Sequence, residues 1–251
     1  MWLCSPNLQN RHGFSVRYGG TSLGAFNSLN LSSRVGDQTN HVLENRILAL
    51  AALDLTATSV VLLRQIHSSF VVDAADALAS SELLAADAVV TNQKNITLVI
   101  ETADCYPILL EDKKAGVIAA AHCGWRGTAA RILEQTVLRM QQLGANPINI
   151  EVAIGPGISA RQYPVRVDVL EQFLTANFPS QRFVQEETSS ESGSRLFHLD
   201  LANANQWLLE SIGVPKNQIW LAGRCSTQAD FFSYRRDHGQ TGRMWSVICQ
   251  Q

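Results

Sequence analysis

Two apolar runs joined by a short charged turn constrain this chain more than any other feature. Tyr106-Pro107-Ile108-Leu109-Leu110 and Val117-Ile118-Ala119-Ala120-Ala121 each have the length of a buried strand, and Glu111-Asp112-Lys113-Lys114 links them. Cys105 stands just before the first run and His122 just after the second. If the runs pair as an antiparallel hairpin, the start of one lies beside the end of the other, and thiol meets imidazole. The stretch continues through Gly124-Trp125-Arg126-Gly127, with a helical pattern from Thr128. Free backbone N–H groups at a helix start, with an arginine beside them, make an anion corner.

The rest of the chain delivers further strand ends. His12 to Tyr18 alternates like a strand, and the turn-rich Gly24 to Asn30 reads either as a loop over a site or as a plain surface loop. Thr58 to Leu63 is a strand that ends in Arg64-Gln65-Ile66-His67; Asp87 to Thr91 is another, and Ile96 to Ile100 runs into Glu101-Thr102-Ala103-Asp104-Cys105. Ile148 to Ile154, Ile219 to Ala222 and Met244 to Ile248 complete the strand set. Helical spacing over Asn40 to Leu53 predicts a face of Val42, Leu43, Ile47, Leu50 and Leu53. Further helices are expected over Ala129 to Leu143, closed by Gly144, over Val167 to Phe173, and from Asp200 to a stop at Gly213. The Ser-rich Glu186 to Arg195 segment is expected to be mobile, and Arg235, Arg236 and Asp237 read either as a surface ion-pair cluster or as a brace of the site from the far end of the chain.

Composition narrows the function. With 251 residues, 46% of them hydrophobic, and no Pro/Gly/Ser-rich linker, a single domain over residues 1–251 is expected. A net charge of -2 gives no reason to expect nucleic acid or an anionic membrane as partner, so a small molecule fits better. No apolar run approaches the roughly 20 residues of a membrane span, and the first residues lack a secretion signal, so a cytoplasmic location is expected. Five cysteines without a C-x-x-C pair argue against a disulfide framework.

His67, Cys105 and His122 thus each stand at an expected strand end. One thiolate and two imidazoles suit Zn²⁺ and leave a fourth position open, whereas a Cys105 thiolate activated by a histidine would use the same atoms without a metal.

Gln65-Ile66-His67, Ala86-Asp87-Ala88-Val89-Val90-Thr91, Thr102-Ala103-Asp104-Cys105-Tyr106-Pro107, Ala121-His122-Cys123-Gly124-Trp125-Arg126-Gly127, Ala153-Ile154-Gly155-Pro156 and Phe232-Ser233-Tyr234-Arg235-Arg236-Asp237 closely resemble the YfiH-like family, also called the laccase-domain or multicopper polyphenol oxidoreductase family. The resemblance implies an α/β/β/α sandwich and a zinc held by His67, Cys105 and His122. It also implies a purine nucleoside enzyme that phosphorolyses adenosine, inosine and 5′-methylthioadenosine and deaminates adenosine. Copper-dependent polyphenol oxidation and an editing role on peptidoglycan precursors are the other activities attached to the family. A laccase needs many histidines for its copper centres, and this chain has six. We therefore assign catalysis to Cys105, His67, His122 and Arg126 and substrate contact to Arg126, Asp104 and Gln65, with zinc as cofactor, copper as the alternative, and purine nucleosides and phosphate as partners. Asp104 is read as either a stabiliser of the Cys105 loop or an orienter of a ligand histidine. The chain departs from the family pattern at Ser68, where Gly is usual, at Cys123, where Ala is common, and around Gln162 and Tyr163.

Overall fold

Successive side chains along the central strands enter different cores, and that alternation sets the layers. The computed structural model describes residues 1–55, 59–188 and 195–250. One sheet runs in the order β1 (Trp2–Leu3), β2 (Arg11–Ser15), β14 (Met244–Cys249), β6 (Thr97–Thr102), β3 (Val60–Val61). A second runs β13 (Ile219–Leu221), β9 (Glu151–Ile154), β7 (Tyr106–Asp112), β8 (Val117–Cys123), β5 (Ala88–Thr91), β4 (Val71–Asp73). A small third sheet pairs β10 (Pro164–Val165) and β11 (Val184–Thr188) with β12 (Arg195–Leu199). The helices are α1 (Thr39–Ala51), α2 (Ala74–Ala79), α3 (Trp125–Ala129), α4 (Ile132–Gln142), α5 (Val167–Thr175) and α6 (Leu201–Ser211).

Leu98 and Ile100 of β6 and Ile248 of β14 share a core with Leu109 of β7, Ile118 and Ala120 of β8 and Val89 of β5, which lies between the two large sheets. Val99 and Val247 turn the other way, onto Ala49 and Leu50 of α1. On the far side Ile108, Leu110, Ala119 and Ala121 meet Ile132, Leu133, Val137 and Met140 of α4 and Leu208 and Leu209 of α6. Helix layer, sheet, sheet and helix layer follow one another, which is the α/β/β/α sandwich expected from the sequence. Strands covered on both faces read as continuous apolar runs, which is why the hairpin was legible. Truncating a fully buried side chain such as Leu109 to Ala in this core should cost about 2–5 kcal/mol.

Several local readings shift. The helix expected from Ala129 begins instead at Trp125, with Gly124 as its N-cap, and Arg131 at φ 60° divides it into α3 and α4. A left-handed residue cannot continue a right-handed helix, and hydropathy spacing carries no trace of it. In α1 the buried face is Val42, Asn45, Ala49 and Leu50, whereas Leu43 and Ile47 are exposed. Asn45 decides that rotation. Its amide donates to Ser22 Oγ, Ser28 O and Asn30 O and its carbonyl accepts from Thr21 N, so a polar side chain is buried to pin the preceding loop. The strand expected at Thr58 to Leu63 is Val60–Val61, and Thr58 lies outside the described residues. The segment expected to be mobile is strand at both ends, paired in β11 and β12, while residues 189–194 lie outside the described ones. Among the described residues no helix is long and apolar enough to cross a membrane.

Candidate metal centre

The β7–β8 hairpin pairs Tyr106 with Cys123 and Pro107 with His122, so Cys105, one residue before β7, sits at the same end as His122. The loop after β3 brings His67 to that end. Candidate ligand atoms of His67, Cys105 and His122 all lie within 4.8 Å of one another, and the two imidazole centroids are 4.8 Å apart. His122 is buried, Cys105 half-buried and His67 exposed, so the cluster has a closed side and an open side.

Asp87, at the start of β5 and fully buried, organises the cluster from behind. Its carboxylate accepts from the backbone N–H groups of Ile66 (3.2 Å), His67 (3.0 Å) and Ser68 (2.6 Å), from Ser68 Oγ (2.7 Å) and from His122 Nδ1 (2.8 Å). Three successive N–H groups wrapped round one carboxylate explain how His67 is held at φ 59°, a conformation that a non-glycine residue adopts only when its surroundings enforce it. An ionised carboxylate can only accept, so Nδ1 of His122 keeps a proton, and in the neutral imidazole that a metal requires it is Nε2 that turns its lone pair towards the cluster. Burial opposes the Asp87 charge, but the hydrogen bonds from His122 and Ser68 outweigh it and hold the carboxyl at about 2.

Burial also pushes the Cys105 thiol up, yet the His122 charge and hydrogen bonds from both histidines bring it down to about 6. His122 moves the opposite way: burial disfavours its charge, while Cys105 and Asp87 raise it to about 9. A thiolate beside a protonated imidazole is therefore the state of the bare cluster. Gly124 completes the cradle. A Cβ there would lie 2.8 Å from His67 Nδ1 and 2.9 Å from Cys105 Sγ, so only glycine leaves the space between the donors clear. A thiolate, an imidazole with its lone pair set by Asp87 and a second imidazole, around a space kept free of carbon, fit a borderline-soft divalent metal with one open position.

The cluster lines a cleft of about 570 Å³, whose walls include Trp125, Tyr163, Tyr234, Arg34, Arg235 and Arg243. The residues assigned from sequence divide around it. Gln65 lines the cleft, but its amide is engaged with the Glu101 backbone, donating to its O and accepting from its N, each at 2.8 Å. Asp104, at φ 95°, accepts from Ser226 Oγ (2.7 Å), Ser233 Oγ (2.6 Å) and Arg235 N (2.7 Å), so it ties the Cys105 loop to the segment before β14. Arg126 is exposed, its guanidinium 4.3 Å from the Trp125 ring centroid, and it lines a groove beside α5 rather than the cleft. Of the two readings of Gly24 to Asn30 the structure favours the plain surface loop, since the cleft is lined instead by Ser32, Arg34 and Val35 just beyond it. Cys123 points into the helix-side core, where burial pushes its thiol up. Asp87, Tyr163, Arg235 and Arg243 escaped the sequence reading of the site. For Asp87 the signal was there, a carboxylate at the head of an apolar run.

A family model described as multi-copper polyphenol oxidoreductase laccase matches residues 11–251. The chain belongs to that family. Within this laccase-like family, a purine nucleoside phosphorylase of Deinococcus radiodurans is 47% identical over 246 residues, covering 98% of this chain and 91% of its own. An adenosine deaminase, RL5, from an unknown prokaryotic organism is 35% identical over 233 residues, covering 89% and 87%. The crystal structure of Neisseria meningitidis protein NMB0706 is similar throughout, with a TM-score of 0.86 at 35% identity and coverage of 100% of this chain and 98% of that one. The family description and the relatives' names point to different chemistries, and the site has to arbitrate.

Proposed function

We propose that this chain is a zinc-dependent purine nucleoside enzyme that phosphorolyses adenosine, inosine and 5′-methylthioadenosine and deaminates adenosine. The observation that carries the reading is one compact donor set, His67, Cys105 and His122, on the floor of an aromatic-walled cleft. Relatives named for nucleoside phosphorolysis and deamination support it. A bound zinc would supply a Lewis acid and an acidified water. The chain's own groups do the rest: Asp87 fixes His122, Cys105 stays ionised, and Trp125, Tyr163 and Tyr234 offer faces on which a planar base can stack. In phosphorolysis a phosphate oxygen joins C1′ as the C1′–N9 bond breaks, and the base leaves with the electron pair and takes a proton. In deamination water oxygen replaces the 6-amino group and ammonia leaves.

Copper oxidase chemistry finds less support in the donors. Of the six histidines only His67 and His122 enter a metal-capable group among the described residues. His12 is engaged with Ser5 and Asn10, and His238 stands exposed in a turn. Oxygen reduction on a copper cluster needs more ligands than that.

A second reading rests on the Cys105–His122–Asp87 alignment, which is a thiolate, the imidazolium that holds its proton and an orienting carboxylate in series, as in cysteine hydrolases acting on amides. Incubating the purified protein with adenosine and with inosine, each with and without phosphate, and identifying the products tests the first reading. Ribose 1-phosphate made only with phosphate, and inosine formed from adenosine, are the results it requires. If one pocket serves both reactions, inosine inhibits deamination competitively. Activity on amides that survives complete zinc removal would overturn it in favour of the second.

A further inference from the structure

The charges of the cleft are unevenly matched. Arg34 is neutralised by Glu101 at 2.7 Å, and Glu101 also takes Ser32 Oγ at 2.8 Å. Arg235 and Arg243 have no carboxylate partner among the described residues. Arg243 is half-buried, and its Nη1 donates to Thr241 O and Gly242 O at 2.9 Å each, which leaves the rest of its fork unspent. The Arg235 guanidinium lies 5.1 Å from the Tyr163 ring centroid and makes no side-chain hydrogen bond among the described residues. Burial pushes Arg243 below its ordinary value although Glu101, Asp104 and Cys105 act in the other direction, and a partly buried guanidinium whose direct hydrogen bonds go to carbonyls gains from an anion that joins it. Both arginines open onto the cleft that holds Cys105, His67 and His122.

We propose that Arg235 and Arg243 form the phosphate subsite of this cleft, a reading that rests on the phosphorylase function proposed above. Asp104 fixes where that subsite stands. Its carboxylate takes the Arg235 N–H at 2.7 Å, and the next residue along the chain is Cys105, so the cationic wall and the donor cluster are referred to a single side chain. Two planar forks can each offer paired N–H donors to one phosphate, which a lysine cannot. Arg126, the arginine that the motif pattern singles out, is turned away onto Trp125 and faces the groove beside α5.

The test is steady-state phosphorolysis of inosine by the zinc-loaded enzyme and its Arg235→Gln, Arg243→Gln and Arg126→Gln variants, with phosphate and nucleoside varied in turn, together with calorimetric titration of inorganic phosphate. Loss of one forked charge-assisted contact should raise the KM for phosphate about tenfold or more while the KM for inosine moves about twofold or less. Phosphate binding measured by calorimetry should weaken in parallel. Arg235→Lys and Arg243→Lys should recover part of the loss, and they guard against a Gln variant that fails to fold. Phosphate constants unchanged in both arginine variants, equal rises for phosphate and inosine, or a phosphate effect confined to Arg126→Gln would each overturn the subsite. A wild-type enzyme that binds phosphate, and loses it on Arg235→Gln, yet cleaves no nucleoside would keep the subsite and refute the phosphorylase reading instead.

Discussion

Asp87→Asn changes one oxygen to an amide nitrogen at a fully buried position, and the structure says what that does. The carboxylate accepts five hydrogen bonds. If the Asn oxygen stays with His67 N and His122 Nδ1, its NH₂ faces the N–H groups of Ile66 and Ser68, donor against donor. If it is flipped, the NH₂ faces the His67 N–H and His122 Nδ1, and His122 can accept from it only as a neutral ring with its proton on Nε2, the nitrogen meant for the metal. Each buried donor left without an acceptor costs about 1–3 kcal/mol, so with two of them the zinc-free protein should lose about 2–6 kcal/mol. Loss of a carboxylate behind a ligand histidine typically weakens metal binding about 10–100-fold, which is about 1.4–2.7 kcal/mol. Zinc affinity measured by competition with a chromogenic chelator at neutral pH, beside denaturant unfolding of the metal-free protein, separates the two effects. Acid sensitivity supplies a third. The Asp87 pKa is depressed from 3.8 to about 2, so its stabilisation is full above the unfolded value and is lost as pH falls towards 2. That acid limb, worth about 2 kcal/mol at 1.36 kcal/mol per unit, should be missing from the variant. Zinc affinity within twofold of wild type, with unfolding unchanged, would refute the argument.

Gly124→Ala places a methyl against His67 Nδ1 and Cys105 Sγ, so zinc stoichiometry should fall well below one by elemental analysis while circular dichroism stays native; full occupancy would show that the cradle is looser than its 2.8 Å and 2.9 Å contacts indicate. Replacing His67, Cys105 or His122 singly by Ala should abolish stoichiometric zinc and nucleoside turnover but leave a cooperative unfolding transition, because none of the three belongs to the apolar clusters between the layers. In the zinc-free protein, alkylation of Cys105 by iodoacetamide should accelerate as pH rises through about 6, since the thiolate is the nucleophile and its pKa is lowered; a midpoint above 8 would contradict the thiolate–imidazolium pair, and added zinc should protect the thiol.

The layer order was legible because β6, β7 and β8 are buried on both faces and so are written as unbroken apolar runs. The donor set was legible because hairpin register is a local matter: once β7 and β8 pair, Cys105 and His122 must meet. What escaped was set by side chains whose partners are far away in sequence. The rotation of α1 is fixed by Asn45 reaching back to Ser22, Ser28 and Asn30, and no apolar periodicity reports a buried amide. The break at Arg131 is a single dihedral angle. Arg235 left two readings open, a surface ion-pair cluster with Arg236 and Asp237 or a brace of the site; the structure gives Asp237 to Arg236 at 2.7 Å and places Arg235 on the cleft wall.

Two aspartates that are not ligands in the donor set explain how such remote segments make one site. Asp87 gathers residues 66–68 and His122, while Asp104 gathers Ser226, Ser233 and Arg235. Both are almost wholly shielded from water, and a buried carboxylate is tolerable only when every acceptor position is filled. Each therefore acts as a demand that its donors be present, and the donors come from segments remote from one another in the sequence. The demand is specific in direction as well as in number, because donor N–H and O–H groups must point at the oxygens. His67 and Asp104 accept left-handed backbone conformations in consequence, strain that the filled carboxylates offset. Since Asp87 acts through the His67 loop and His122, and Asp104 is bonded to Cys105 in the chain, the three donor groups are located by two independent anchors rather than by the hairpin alone.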